Sequence, residues 1–123
     1  MGRTNEFTLI ADADFTGKLG YGVVVKNAML NNTPYGSIAT TAGGAIDGVI
    51  TDITADGKAG APVAVGRIGD IVFAKVGNGG LTVGDKIAVA NDGTFVTAGD
   101  NATVVGVALA TGAKDERIPV LLK

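Results

Sequence analysis

Residues 81–97 read LTVGDKIAVANDGTFVT and contain the pattern that decides the fold. Two apolar stretches, Leu81–Val89 and Thr94–Thr97, lie on either side of the triplet Asn91-Asp92-Gly93. An Asp-Gly pair between runs of β-branched residues is typical of a tight β-hairpin turn. The pair Gly84-Asp85 inside the first stretch adds another turn former. The segment therefore predicts paired antiparallel strands.

The same alternation of apolar runs and turn residues extends over most of the chain. Twenty glycines and only three prolines are spread among 123 residues, and no window has a helical period of convincing length. Ser37–Ala42 fits a short helix or a loop equally well. Further strands are predicted at Val23–Val25, Ala45–Ile53, Pro62–Val65, Ile68–Val76, Ala102–Ala110 and Ile118–Leu122. The predicted fold is all-β, a small compact β-barrel or rolled sheet.

Residues 1–20 are the most polar part of the chain and leave two interpretations open. Phe7 and Leu9 alternate with polar neighbours, as in a short strand. This segment is either the first strand of the domain or an extended arm that adds a strand to the sheet of a partner. The organisation we predict is an N-terminal arm, 1–20, followed by a single β domain, 21–123. Deletion of residues 1–12 would then leave the fold nearly unchanged.

Composition excludes several classes of function. The chain has no cysteine, no histidine and no tryptophan, which removes disulfides, thiol chemistry and the commonest general base and metal ligand. A net charge of −2 without any run of Lys or Arg disfavours nucleic-acid binding. No stretch is apolar for long enough to cross a membrane or serve as a signal peptide. We therefore expect a cytosolic protein that is not an enzyme and has no cofactor.

Three short motifs are better explained by turn chemistry than by ligand binding. The glycines of residues 77–80 lack the Gly-Lys-Ser/Thr of a phosphate loop. Residues 52–57 are similar to the start of a calcium loop, but Val63 stands where its bidentate Glu belongs. Asp12 and Asp14 form another carboxylate pair without a further acid nearby. A hard-cation site at either place is the less favoured alternative, and we predict no metal.

The C-terminal third has an ordered succession of short strands that resembles a known family. It consists of Gly80–Ile87, Asn91–Phe95, Val104–Leu109 and Arg117–Leu122, with Gly48–Ile50 and Gly60–Val65 upstream. In this order they are similar to the capsid decoration (cement) proteins of tailed bacteriophages, over about residues 44–123.

The resemblance implies a compact, β-tulip-like β fold and a structural virion protein without catalytic residues. Such a protein is assembled in the host cytoplasm and binds the outer surface of the phage head as a homotrimer. It clamps the major capsid protein and stabilises the expanded shell against DNA pressure. An N-terminal arm that orders on the shell is a further expectation, which makes Phe7, Thr8, Leu9 and Ile10 the candidate capsid-binding residues.

Two other functions remain open at this point. One is a non-catalytic β-domain that binds carbohydrate or protein, although six aromatic residues without Trp supply few sugar platforms. The other is a small β-barrel hydrolase that uses aspartates. Residues 44–48, GAIDG, are similar to the nucleotide-pocket strand of trimeric dUTP-hydrolysing enzymes, but the Tyr and Arg that follow in that family are missing here.

Overall fold

The computed structural model describes residues 7–30, 33–53 and 56–123, and all of their regular structure is β. This confirms the all-β prediction. The strands are β1 (Phe7–Ala11), β2 (Gly22–Leu30), β3 (Thr33–Ile38), β4 (Gly48–Asp52), β5 (Pro62–Gly66), β6 (Ile71–Lys75), β7 (Lys86–Val89), β8 (Phe95–Thr97), β9 (Gly106–Ala108) and β10 (Arg117–Leu122).

The first five strands form a closed barrel in the order β1-β3-β2-β4-β5. Strand β1 closes it, since it pairs antiparallel with β5 and parallel with β3. Alternate residues of the strands point inward because successive side chains of a strand face opposite sides. The barrel core consists of the fully or almost fully buried Leu9, Ala11, Phe15, Val23, Ile50, Val63 and Val65.

The last five strands form a second, rolled sheet in the order β6-β10-β9-β7-β8. Val76, which directly follows β6, bridges to Phe95 of β8 and brings the two ends of the sheet together. Phe95 is fully buried and belongs to a core cluster with Val72, Ile87 and Val120. Val49 of the barrel is part of the same cluster, so the core of the second sheet extends onto the barrel.

The structure corrects the boundary predicted at residue 20. Phe7–Ala11 is a strand of the barrel, in register from Phe7 opposite Val65 to Ile10 opposite Pro62. Leu9 and Ala11 are fully buried, and the N–H of Phe15 donates to the carbonyl of Gly57 at 2.6 Å. The described domain therefore includes residues 7–20, because Leu9, Ala11 and Phe15 of this segment are buried in the barrel core. Residues 1–6 of the predicted arm lie outside the described residues.

Several predicted strands are shorter in the structure because aspartate side chains close turns next to them. The carboxylate of Asp70 accepts the N–H of Arg67 at 3.1 Å, so β6 begins at Ile71. The carboxylate of Asp85 accepts the N–H of Thr82 at 2.9 Å, and β7 begins after it. The segment left open at residues 37–42 ends β3 and continues as a loop.

Gly20 joins the barrel to the second sheet. Its N–H donates to Ile50 of β4 at 2.9 Å, and its carbonyl accepts the N–H of Lys75 of β6 at 2.9 Å. It has a positive φ of +86°, and a Cβ at this position would lie 2.8 Å from the backbone nitrogen of Lys75. A side chain would thus push the two sheets apart.

Gly20→Ala is expected to lower the free energy of unfolding by about 2 kcal/mol more than Gly17→Ala. Both glycines have a positive φ, but a Cβ on Gly17 would meet nothing within 4 Å. The control therefore carries the same backbone strain, roughly 1–2 kcal/mol, without the collision. Urea denaturation of both variants measures the difference, and equal losses would mean that Gly20 is not a tight joint.

The β7–β8 turn depends on an ionised aspartate. The carboxylate of Asp92 accepts the hydroxyl of Thr94 at 2.6 Å and its N–H at 3.0 Å. These bonds, led by the one from the hydroxyl, hold the pKa of Asp92 below its ordinary value.

Asp92 should therefore stabilise the fold above about pH 3.9, the ordinary pKa of an aspartate, and lose this effect as pH falls through its lower folded-state pKa. We expect Asp92→Asn to have a lower melting temperature than the wild type at pH 6, and the gap to narrow towards pH 2. Calorimetry across this range measures it. A gap that stays constant with pH would show that the charge contributes nothing.

Candidate interaction surface

The outer face of the second sheet is apolar where it would ordinarily be polar. On β6, Val72 and Ala74 point into the core, which turns Ile71 and Phe73 outward. Their side chains are 58% and 61% exposed. An aromatic residue this exposed on a regular strand is unusual, and contiguous apolar surface of this kind marks interaction sites.

Neighbouring strands extend this surface into two rows. Ile71 lies opposite Leu121 of β10, and Leu121 lies opposite Val107 of β9. Phe73 lies opposite Pro119, whose carbonyl accepts the N–H of Leu109 at 2.9 Å. Directly opposed side chains on a sheet are close enough to form one surface. The apolar face is defined as Ile71, Phe73, Val107, Leu109, Pro119 and Leu121.

Basic residues border the apolar face. Lys75 lies opposite Arg117 at one end of β6 and β10, and Lys86 lies opposite Val107. In the described ranges, none of these three cations forms an ion pair. The ion pair found in those ranges lies elsewhere, between Lys26 and Asp12, whose charged atoms are 2.7 Å apart. Their charges are thus available to the acidic groups of a partner.

A groove of about 260 Å³ runs beside the apolar face, between the second sheet and the barrel. One wall is formed by Ile71, Val72 and Phe73, and Arg117 also lines the groove. The opposite wall comes from the barrel, with Leu19 and Gly20 in the loop between β1 and β2 and with Ile50 and Thr51 on β4. The apolar face, its basic border and this groove together form the candidate site.

The same fold occurs in a bacteriophage head fiber. The crystal structure of the head fiber gp8.5 N base of bacteriophage phi29 matches with a TM-score of 0.72. The match covers 98% of this chain and 95% of the phi29 chain, at 19% sequence identity. At this identity the likeness to the phi29 fiber base establishes the fold. No family model and no curated protein sequence matches the chain.

The predicted capsid-binding residues do not form part of the candidate site. Leu9 is fully buried in the barrel. The guanidinium of Arg67 lies over the ring of Phe7, 5.1 Å from the centre of that ring. Thr8 pairs with Ala64 of β5, and Ile10 is paired on both sides, with Pro62 of β5 and Tyr35 of β3. Their binding to a capsid stays a prediction. The sequence did contain a signal for the apolar face, since β6 is apolar on both of its faces.

The aspartates considered as metal ligands have structural roles. Asp12 pairs with Lys26, and the side chain of Asp14 accepts the N–H of Thr16 at 2.9 Å. Hydrogen bonds from Thr16 hold the pKa of Asp14 below its ordinary value. Asp56 accepts the N–H of Lys58 at 3.0 Å. Within the described ranges, no three Asp, Glu, His or Cys side chains are grouped as a metal site would require.

Asp47, the acid of the segment compared with dUTP-hydrolysing enzymes, also has a backbone partner. Its carboxylate accepts the N–H of Val25 at 2.7 Å. This hydrogen bond satisfies the amide of Val25 in β2. Two residues earlier in the same strand, Val23 pairs with Gly48, the first residue of β4.

Among the described residues, none belongs to a helix that could span a membrane.

Proposed function

We propose that this chain is a structural protein of a bacteriophage head, a decoration protein that binds the outer surface of the shell as trimers and has no catalytic role. The observation that carries the proposal is the fold match to the phi29 head fiber base, which extends over nearly the whole of both chains. The order of strand motifs over residues 44–123 supports the same conclusion independently, since it resembles phage decoration proteins.

The apolar face is the surface that we assign to the major capsid protein. Apolar side chains on the adjacent strands β6, β10 and β9 supply contact area, with Phe73 as the aromatic anchor. The border of Lys75, Lys86 and Arg117 selects an acidic surface and steers the approach to it. Three copies on one trimer would multiply weak single contacts by avidity.

Stabilisation of the shell follows from linkage. A ligand that binds the expanded shell but not its separated subunits shifts the equilibrium towards the intact shell. The effect grows with occupancy, so decoration at every available site resists the pressure of the packaged DNA. This mechanism needs no bond to be made or broken.

Purified protein added to expanded, undecorated shells of the phage that encodes it tests the proposal. We expect saturable binding with a fixed number of copies per shell, and affinity that falls as salt is raised because the basic border is screened. A cryo-EM map of the saturated shell should show three copies at each site. Failure to bind the shell would contradict the decoration role. Density for isolated monomers would contradict the trimer.

A further inference from the structure

Strand β6 is the edge of the second sheet, and part of that edge is open. Two backbone hydrogen bonds on the β10 side show which way the peptide groups of β6 point. The N–H of Val76 donates to the carbonyl of Glu116, and the carbonyl of Asp70 accepts the N–H of Leu122. Hydrogen-bonding direction alternates along a strand, so the peptide groups of Ile71, Phe73 and Lys75 point away from β10. Lys75 confirms this direction, since its N–H donates to the carbonyl of Gly20, which lies on the side of the barrel.

Gly20 binds the edge at the N–H of Lys75 and lies beside the carbonyl of Phe73, which a Cβ on Gly20 would approach to 3.1 Å. In the described part of the chain, β10 is the one strand that pairs with β6, and no turn or loop carbonyl accepts the N–H groups of Ile71 and Phe73. These groups face the groove of about 260 Å³ whose far wall is formed by Leu19, Ile50 and Thr51. The groove therefore combines unpaired strand amides, an apolar far wall and two exposed apolar side chains at its rim. An extended peptide is bound by this combination when it adds a strand to a sheet.

We propose that this groove accepts an extended segment of the shell protein, which pairs with β6 at Ile71 and Phe73 as an added strand of the second sheet. The inference rests on the proposed function. The segment would carry an apolar side chain at every second position, to pack on the groove walls. It would carry a carboxylate near Arg117 and Lys75, whose charges border the end of the groove.

A second copy of the chain is a poorer occupant. The barrel strands are each paired on both sides, and the edge of β8 is bridged to Val76 at Phe95. Among the described residues, a copy could therefore offer the open stretch of its own β6. The acid that a second copy would bring to this stretch is Asp70, which is buried and whose carboxylate already accepts the N–H of Arg67. An acidic segment of another protein would instead neutralise Lys75 and Arg117.

Phe73→Pro and Phe73→Ala separate strand addition from docking of side chains. Both remove the aromatic ring, but only proline removes the N–H that points into the groove. Proline is tolerated on an edge strand when its nitrogen faces away from the ladder. We expect Phe73→Pro to bind the shell at least tenfold more weakly than Phe73→Ala, with both variants melting close to each other. Equal shell affinities of two folded variants would overturn strand addition and leave the proposed function standing.

Hydrogen exchange of the wild-type protein gives a second measurement that does not depend on a variant. The amides of Ile71 and Phe73 should exchange fast in the free protein and become protected on the shell. Fast exchange of both amides in the shell-bound protein would overturn the proposal. Protection that appears at high protein concentration without shells would mean that a second copy fills the groove, which also overturns it. Absence of any shell binding by the wild type would instead refute the proposed function.

Discussion

Deletion of residues 1–12 is expected to abolish cooperative folding. The deletion removes β1, which closes the barrel between β5 and β3, and exposes the faces of Val63 and Val65 that Leu9 now covers. Two strand edges would be left unpaired in the same step, and unpaired edges promote aggregation. Far-UV circular dichroism and thermal melting of the truncated protein measure the outcome. Unchanged melting would show that this segment is an arm after all.

Leu9→Ala tests the same strand without truncation. Leu9 is fully buried, so its replacement should lower the free energy of unfolding by about 2–5 kcal/mol. The adjacent Thr8 is exposed on the same strand, and Thr8→Ala should change stability by about 1 kcal/mol or less. Chemical denaturation of the pair distinguishes burial from strand propensity. Similar small losses for both would contradict the position of β1 in the barrel.

Phe73→Asp is expected to weaken shell binding by roughly 30-fold or more, because loss of a central aromatic anchor costs about 2 kcal/mol or more. The exposed position of Phe73 should keep the melting temperature close to that of the wild type. Ile68→Asp is the matched control, since Ile68 is also exposed but lies in the turn before β6, beside Phe7 and Arg67. Sedimentation of each variant with shells measures the two affinities.

The control decides how the result is interpreted. A large loss for Phe73→Asp together with near wild-type binding of Ile68→Asp assigns the contact to the apolar face. The same loss in both variants would indicate a general effect of added negative charge. Wild-type binding by Phe73→Asp would exclude the apolar face as the docking surface.

The hairpins of the fold could be predicted because their determinants are local. Asp92 and Gly93 specify a turn by backbone chemistry alone, and β7 and β8 pair on either side of it. Strand ends were harder to predict, since Asp70 and Asp85 bind backbone amides and end the apolar runs early. Closure of the barrel by β1 depends on a partner more than fifty residues away, and no local pattern reports such a contact.

The candidate site was missed for a similar reason. Ile71 and Phe73 alternate with Val72 and Ala74, so all four look like core residues in the sequence. Which side stays exposed depends on what packs against each face of the sheet. Phe7–Ile10 looked available to a partner for the opposite reason, because the strand β5 that pairs with it comes much later in the chain.

Release of DNA from filled heads on heating tests the central claim most directly. Heads that lack this protein should still assemble but lose their DNA at a lower temperature than decorated heads. Purified protein added back should restore the higher temperature in proportion to occupancy, and Phe73→Asp should not. If stripped and decorated heads release DNA along the same melting curve, the protein does not stabilise the shell and the decoration account is contradicted.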